Sequence, residues 1–351
     1  DKGSAAVADT TWSKTILKTG EINPATTNGP TLTGGDNFGT SIVNIGDLNG
    51  DGVDDMAVGA GNDEMDENDD IDGGEDRGAV HIMYMNTDGS VSSTVEINDS
   101  TTNGPELANK DWFGYSVANI GDLDGNGYDD LAVGAYGDDD SGGARGAVHI
   151  LFMDENPGNG LAKATEEIND STTNGPELAN TDWFGMSVAN IGDLDGNGVN
   201  DLAVGAMKDD DGETDRGAVH ILFMDEDPGN GLAKATVEIN NSTANGPELE
   251  DGDFFGRSVA NMGDLDGDGV NDLAVGADRG DGSDANRGEV HVFFMNADGS
   301  VDSTVEITDT TANGPSMRNQ DFFGISVANI GDLDGNGIND LAVGANGDDG
   351  G

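Results

Sequence analysis

The chain contains no cysteine, so no disulfide holds its fold and no thiol chemistry is open to it. Basic residues are scarce: 14 Lys and Arg stand against 70 Asp and Glu, a formal net charge of −56 over 351 residues. Such a field repels nucleic acid and anionic membrane surfaces, which excludes both as partners. No apolar run approaches the length of a membrane span, so no membrane insertion is expected. The opening Asp1-Lys2-Gly3-Ser4 has no signal-peptide core, and the chain reads as a mature or excised segment. Helical periodicity is missing throughout. So is any catalytic constellation: there is no nucleophile beside a base, no phosphate-cradling loop ahead of a helix, and no titratable cluster outside what repeats. An enzyme is therefore not expected.

What is present is one loop written five times, with periods of 68 to 75 residues. Oxygen-bearing side chains fall at loop positions 1, 3, 5 and 9, glycine at 4 and 6, and an apolar or aromatic residue at 7. The copies run Asp47, Asn49, Asp51, Val53, Asp55; then Asp122, Asp124, Asn126, Tyr128, Asp130; then Asp193, Asp195, Asn197, Val199, Asp201. The last two are Asp264, Asp266, Asp268, Val270, Asp272 and Asp332, Asp334, Asn336, Ile338, Asp340. A hard divalent cation takes six to eight oxygens at about 2.3–2.6 Å from carboxylates, amides and backbone carbonyls. Alternate positions of a tight loop supply them, position 7 through its carbonyl, and a glycine such as Gly198 permits the sharp turn. Five Ca2+ ions are expected, with the position 9 aspartate as the closing carboxylate. A helical calcium hand is excluded, because position 12 is valine (Val58, Val133, Val204, Val275, Val343) and the flanks read as short strands. Five divalent ions would cancel ten charges and leave −46, an excess suited to high salt. Weak calcium sites fill outside the cell, which favours an extracellular or cell-surface location.

Each period has the same order around its loop. An aromatic-Phe-Gly turn (Trp112-Phe113-Gly114, Trp183-Phe184-Gly185, Phe254-Phe255-Gly256, Phe322-Phe323-Gly324; Asn37-Phe38-Gly39 in the first) opens a small-residue strand. After the loop come a strand ending in Val-Gly-Ala, an acidic glycine-rich loop, a third strand such as 145–153, and a polar-apolar fourth strand such as 93–97. A polar loop with Asn-Gly-Pro returns at Pro30, Pro105, Pro176, Pro247 and Pro315. The fold class is all-β. Four antiparallel strands, small innermost and polar outermost, repeated radially, describe a β-propeller in one domain across residues 1–351. The last copy ends after two strands, and the first residues precede Asn28-Gly29-Pro30 as third and fourth strands do elsewhere. A closed five-bladed ring is therefore expected, its last blade shared between the termini, with residues 1–25 pairing near 324–345.

The Phe-Gly turn, the Asp-x-Asp-x-Asn-x-x-x-Asp loop and the closing Gly-Ala resemble FG-GAP repeats, the units of the integrin alpha-subunit propeller. The resemblance covers nearly the whole chain. It implies calcium loops between the first two strands of each blade and a role in extracellular adhesion or recognition. This sequence departs from the integrin pattern in several ways: no proline follows Gly-Ala, five loops carry the metal pattern, five blades replace seven, and cysteine is absent. Those departures point to a microbial FG-GAP protein. The partner implied is an extracellular protein or glycan, or copies of the chain itself in a surface filament. A domain of a polysaccharide-active enzyme is the catalytic alternative. The four histidines, His81, His149, His220 and His291, share one register and read as structural. Arg77, Arg145, Arg216 and Arg287 are expected to pair with a neighbouring aspartate. The acidic loops after the second strand read as a solvated face, Arg279-Gly280-Asp281 as a chance match to a recognition tripeptide, and Asn98, Asn169 and Asn240 as sequon matches.

Overall fold

A computed structural model of the chain describes residues 21–63, 76–138, 143–154, 162–210, 214–225, 233–280 and 286–348. Of the pairing assigned to residues 1–25, residues 1–20 lie outside these described residues, as do most of the acidic loops (64–70, 139–140 and 211), the turn at 155–160 and Asp281. Residues 21–25 form no strand, and Ile22 packs on Val58 and Met83 instead. Among the described residues there is no helix.

Four antiparallel sheets of four strands each run in chain order. The first holds β1 (Phe38–Asn44), β2 (Met56–Ala60), β3 (Ala79–Met85) and β4 (Val91–Ile97). The second holds β5 (Ser116–Gly121), β6 (Asp130–Ala135), β7 (Ala147–Met153) and β8 (Ala162–Ile168), and the third β9 (Phe184–Gly192), β10 (Asp201–Ala206), β11 (Ala218–Met224) and β12 (Ala233–Ile239). The fourth holds β13 (Phe255–Gly263), β14 (Asp272–Ala277), β15 (Glu289–Met295) and β16 (Val301–Ile307). A fifth, partial blade pairs β17 (Phe323–Asn329) with β18 (Leu341–Ala345). The architecture is a propeller of four complete blades and a partial fifth.

The core lies between blades. Ile82, Tyr84 and Ile97 of the first blade meet Phe113, Leu131 and Leu151 of the second in one cluster, and the same pattern recurs at the next three junctions. Burying both faces of the third strand explains why it is apolar but for His149, and the fourth strand, whose outer edge meets water, is buried only at its two ends. The small residues of the two inner strands of each blade serve a close approach. A Cβ added to Gly205 would lie 2.0 Å from the carbonyl oxygen of Gly256, so Val-Gly-Ala of one blade carries the Phe-Gly turn of the next. That carbonyl also accepts a hydrogen bond from Ser187 Oγ at 2.9 Å.

An asparagine ladder ties the inner strands together. The Nδ2 groups of Asn119, Asn190, Asn261 and Asn329 donate to the carbonyls of Asn44, Asn119, Asn190 and Asn261 at 2.9–3.1 Å. At the seam between the fifth and first blades the ladder stops: Asn44 Nδ2 donates to Asp54 at 3.1 Å, a bond that Asn119 also makes, to Asp129, beside its place in the ladder. Ile42 and Leu333 beside that seam are 66% and 77% exposed. The five inner strands nonetheless line one central cavity of about 240 Å3.

The arginines do pair as expected. Arg77 meets Asp99 at 2.5 Å, Arg145 meets Asp170, Arg216 meets Asp251 at 2.8 Å and Arg287 meets Asp309 at 3.0 Å. The third blade moves its carboxylate: Asn241 stands where Asp99 and Asp170 stand, and Asp251 replaces Asn109 and Asn180. The sequon asparagines are buried and committed. Asn169 Oδ1 accepts from the amide and hydroxyl of Ser171 at 2.8 and 2.7 Å, while its Nδ2 donates to Glu167. They are not accessible acceptors.

Candidate metal centres

Every loop residue singled out from the sequence lies in a described segment. In the third loop, Asp193 Oδ1 and Oδ2 accept the amides of Asn197 and Gly198 at 2.9 and 2.8 Å. Asp195 Oδ1 accepts from Asn197 N at 3.1 Å, and Asn197 Oδ1 from Val199 N at 2.7 Å. Each oxygen-bearing side chain thus folds back over the loop, with Gly196 and Gly198 at φ 77° and 94°, a conformation glycine adopts without penalty. The other four loops repeat this pattern, for example Asp47 with Asp51 and Gly52, and Asp332 with Asn336 and Gly337. At position 7, Val53, Tyr128, Val199 and Val270 lay their side chains on the blade cores, whereas Ile338 is exposed.

The closing aspartate has a second role. Asp201 is fully buried; its Oδ2 accepts from Leu194 N at 2.8 Å within the loop, and its Oδ1 from Met224 N at 2.9 Å on β11. Asp55, Asp130 and Asp272 make the same two bonds. Burial pushes the Asp130 carboxyl up to about 7 and that of Asp201 to about 6. Asp340, in the partial blade, has the loop bond alone and is only half-buried.

The donor set suits calcium. Carboxylate oxygens of Asp122, Asp124 and Asp130 lie within 4.8 Å of one another, as do those of Asp193, Asp195 and Asp201 and of Asp264, Asp266 and Asp272. Each oxygen that accepts one amide keeps a further lone pair for a cation. Three converging carboxylates in a half-buried loop repel one another until a divalent charge offsets them. Asn200, at position 8, points away from the loop centre: its Nδ2 donates to Ile120 O of the preceding blade at 3.0 Å. The loops are not equivalent. Lys163 Nζ lies 2.5 Å from Asp124 Oδ2, and Lys234 pairs with Asp195, whereas the fourth blade has Asp302 at that strand position.

Two features escaped the sequence reading. At the blade end opposite the loops, Trp112 stacks on Tyr136 with centroids 4.7 Å apart, and Tyr136 meets Tyr115 and Trp183. Lys208 sits 3.5 Å above Trp183, and Arg279 sits 4.1 Å above Phe254. Trp112, Trp183 and Phe254 are held at φ 55°, 60° and 60°, a left-handed backbone that costs a bulky residue about 1–2 kcal/mol. The signal was in the sequence: these rim positions are where near-identical blades differ (Tyr115, Met186, Arg257; Tyr136, Met207, Asp278). The second feature is that each third-strand histidine faces carboxylates of its own blade. His81 Nε2 lies 3.2 Å from Asp63, and Glu96, Glu167, Glu238 and Glu306 stand directly opposite the four imidazoles on the fourth strands. Unlike groups therefore converge within one blade, which a comparison between blades cannot reveal. Burial lowers the His149 imidazole to about 4.

The family profile for the FG-GAP repeat matches residues 38–83, 113–151, 184–222 and 255–293, each running from the Phe-Gly turn through the loop to the third strand. The chain is 33% identical over 243 residues to integrin alpha-5 of Xenopus laevis, which covers 68% of this chain and 20% of that protein. It is 34% identical over 167 residues to integrin alpha-PS5 of Drosophila melanogaster and over 170 residues to integrin alpha-IIb of Homo sapiens, each covering 47% of this chain and 15% of the relative. The chain spans a fifth or less of the length of these relatives.

Proposed function

Because the chain belongs to the FG-GAP repeat family, with one repeat in each complete blade, we propose that it is a calcium-stabilised, non-enzymatic propeller for adhesion or binding outside the cell. Residues 1–351 act as one domain, with about five Ca2+ ions in loops 47–55, 122–130, 193–201, 264–272 and 332–340. Calcium when bound neutralises the loop carboxylates; the protein's own contribution is to hold them through the amide bonds of the loop and of the third strand.

The aromatic rim carries the binding assignment. Recognition needs unlike groups on a rigid frame, and the blades are alike almost everywhere except there. Three of the 14 basic residues, Lys208, Arg257 and Arg279, gather among Tyr115, Trp183 and Phe254 in an otherwise acidic chain. Aromatic and guanidinium groups are the side chains that dominate interface energetics. The partner is an extracellular protein with acidic and aromatic contact groups, or a glycan that packs on the half-buried rings of Trp112, Tyr115 and Trp183. A protein and glycan array probed with calcium, with chelator, and with Trp183→Ala tests this. The expected result is a ligand lost both in chelator and in the variant. A ligand retained by Trp183→Ala would remove the rim from the assignment.

A self-assembling surface unit is the second reading, favoured by the apolar side chains Ile42, Ile330, Leu333 and Ile338 exposed along the seam. Sedimentation that changes with protein concentration in saturating calcium would support it; a monomer at all concentrations would not.

A further inference from the structure

The third-strand histidines belong neither to the calcium loops nor to the rim. All four are at most 1% exposed, and each ring stands edge-on to the Phe of its own Phe-Gly turn at 5.4–5.5 Å. Neither nitrogen of His220 has a hydrogen-bond partner among the described residues, nor does Nε2 of His149. Leaving such buried polar atoms unbonded costs about 1–3 kcal/mol each. Yet the arrangement recurs in every complete blade.

The fourth blade is the informative one. Gly280 stands where Asp63, Asp138 and Asp209 stand, and Glu289 replaces Ala79, Ala147 and Ala218. A Cβ on Gly280 would lie 2.4 Å from Glu289 Cδ, so the glutamate carboxylate fills the place of the missing aspartate. Glu289 Oε1 is 3.0 Å from His291 Nε2. Two coupled changes return a carboxylate to the imidazole, so the pair itself is what each blade keeps.

A plain hydrogen bond accounts for the first and fourth blades but not for the second and third. There Nε2 lies 3.9 Å (His149–Asp138) and 3.7 Å (His220–Asp209) from the carboxylate oxygen, beyond hydrogen-bond reach. Two ligands of one small cation, bound at about 2.0–2.2 Å in tetrahedral geometry, sit about 3.3–3.6 Å apart. The atoms of Asp138, His149 and Glu167 that could bind lie within 4.8 Å of one another, as do those of Asp63, His81 and Glu96, so contraction of about an ångström brings them onto one ion. A hydrogen bond from Asn240 Nδ2 to Glu238 Oε1 at 2.5 Å orients the third carboxylate, the kind of outer contact that metal ligands use. A cavity of about 410 Å3 between the fourth strand and the Asn-Gly-Pro loop, lined by Pro105, Lys163, His149 and Glu167, reaches the cluster from outside. The cluster itself, with Asp138 beyond the end of β6, lies at the opposite end of that strand from the calcium loop that Asp130 closes.

We propose that the histidine–carboxylate cluster of each complete blade is a second divalent-cation site. One imidazole nitrogen and two carboxylates select a borderline first-row ion such as zinc rather than calcium, which takes oxygen ligands.

The test uses the full chain, stripped of metal and then saturated with calcium, titrated with zinc and analysed for bound metal. The expected result is zinc uptake above the calcium-loop count, up to four equivalents, with a nitrogen ligand at about 2.0 Å in X-ray absorption. His149→Gln and His220→Gln should each remove one equivalent and leave calcium stoichiometry unchanged. Asp209→Asn, which keeps the imidazole, should weaken one site at least tenfold, and serves if a histidine variant does not fold. No zinc uptake in saturating calcium, an all-oxygen coordination shell, or uptake indifferent to these substitutions would overturn the assignment.

Discussion

Gly205→Ala is the sharpest probe of how the blades are held together. The backbone at Gly205 needs no left-handed conformation, so the substitution acts through contact alone. The new methyl would lie 2.0 Å from Gly256 O and 2.5 Å from Ser187 Oγ, and the first of these is backbone of the next blade. The third and fourth blades must part by about an ångström, an overpacking cost of about 1–3 kcal/mol. The hydrogen bond from Ser187 Oγ to Gly256 O, 2.9 Å long, is lost with it, at about 1 kcal/mol. Together about 2–4 kcal/mol is expected, or a melting midpoint lower by about 3–5 °C for a chain of this size. Differential scanning calorimetry in saturating calcium reads this without interference from metal loss. Gly344→Ala is the internal control: the same position in the partial blade meets nothing closer than 3.5 Å, and its midpoint should move by no more than about 1 °C. A harmless Gly205→Ala would refute the close-approach argument. A damaging Gly344→Ala would show the first blade closing on the fifth as the others close on one another.

Further outcomes follow from the same geometry. Excess chelator should lower the melting temperature substantially, and magnesium should restore it poorly because it resists dehydration; an unchanged melt would remove calcium from the fold. Asp201→Ala should cost both calcium affinity at its loop and stability, since both its oxygens hold backbone amides, whereas Asn200→Ala should cost about 1 kcal/mol of stability with calcium binding intact; equal effects on calcium would refute the ligand assignment. Lys234→Ala should raise calcium affinity at the third loop about two- to fivefold by removing a cation from Asp195, measured by calcium titration, and a fall would reverse the sign of the argument. Stability should rise from dilute buffer to molar potassium chloride at saturating calcium, because screening relieves the self-repulsion of the charge that remains when five divalent ions offset ten of the formal −56; a flat or falling profile would count against a high-salt setting.

How much was legible depended on whether a signal repeats along the chain or converges in space. The five loops, the four-stranded blade and the small innermost strand were readable because each is local and recurs at fixed offsets, so Asp193 to Asp201 can be checked against four copies of itself. The arginine pairs were readable as a type, because an arginine in so acidic a chain must find a carboxylate, though not that the third blade moves its carboxylate from position 241 to Asp251. What stayed hidden was pairing across strands within one blade. His149 and Glu167 are 18 residues apart, and only the register of β7 against β8 sets them opposite each other. Repetition worked against the reading here: four histidines in one register look like a packing habit, and equivalent positions on different blades are indeed far apart. The informative comparison was the one blade that breaks the pattern. Gly280 and Glu289 look unrelated in the sequence, and become one event only when a Cβ at the first would strike the carboxylate of the second. In a repeat protein the shared residues describe the scaffold, and the compensated exceptions mark the contacts that each blade must keep.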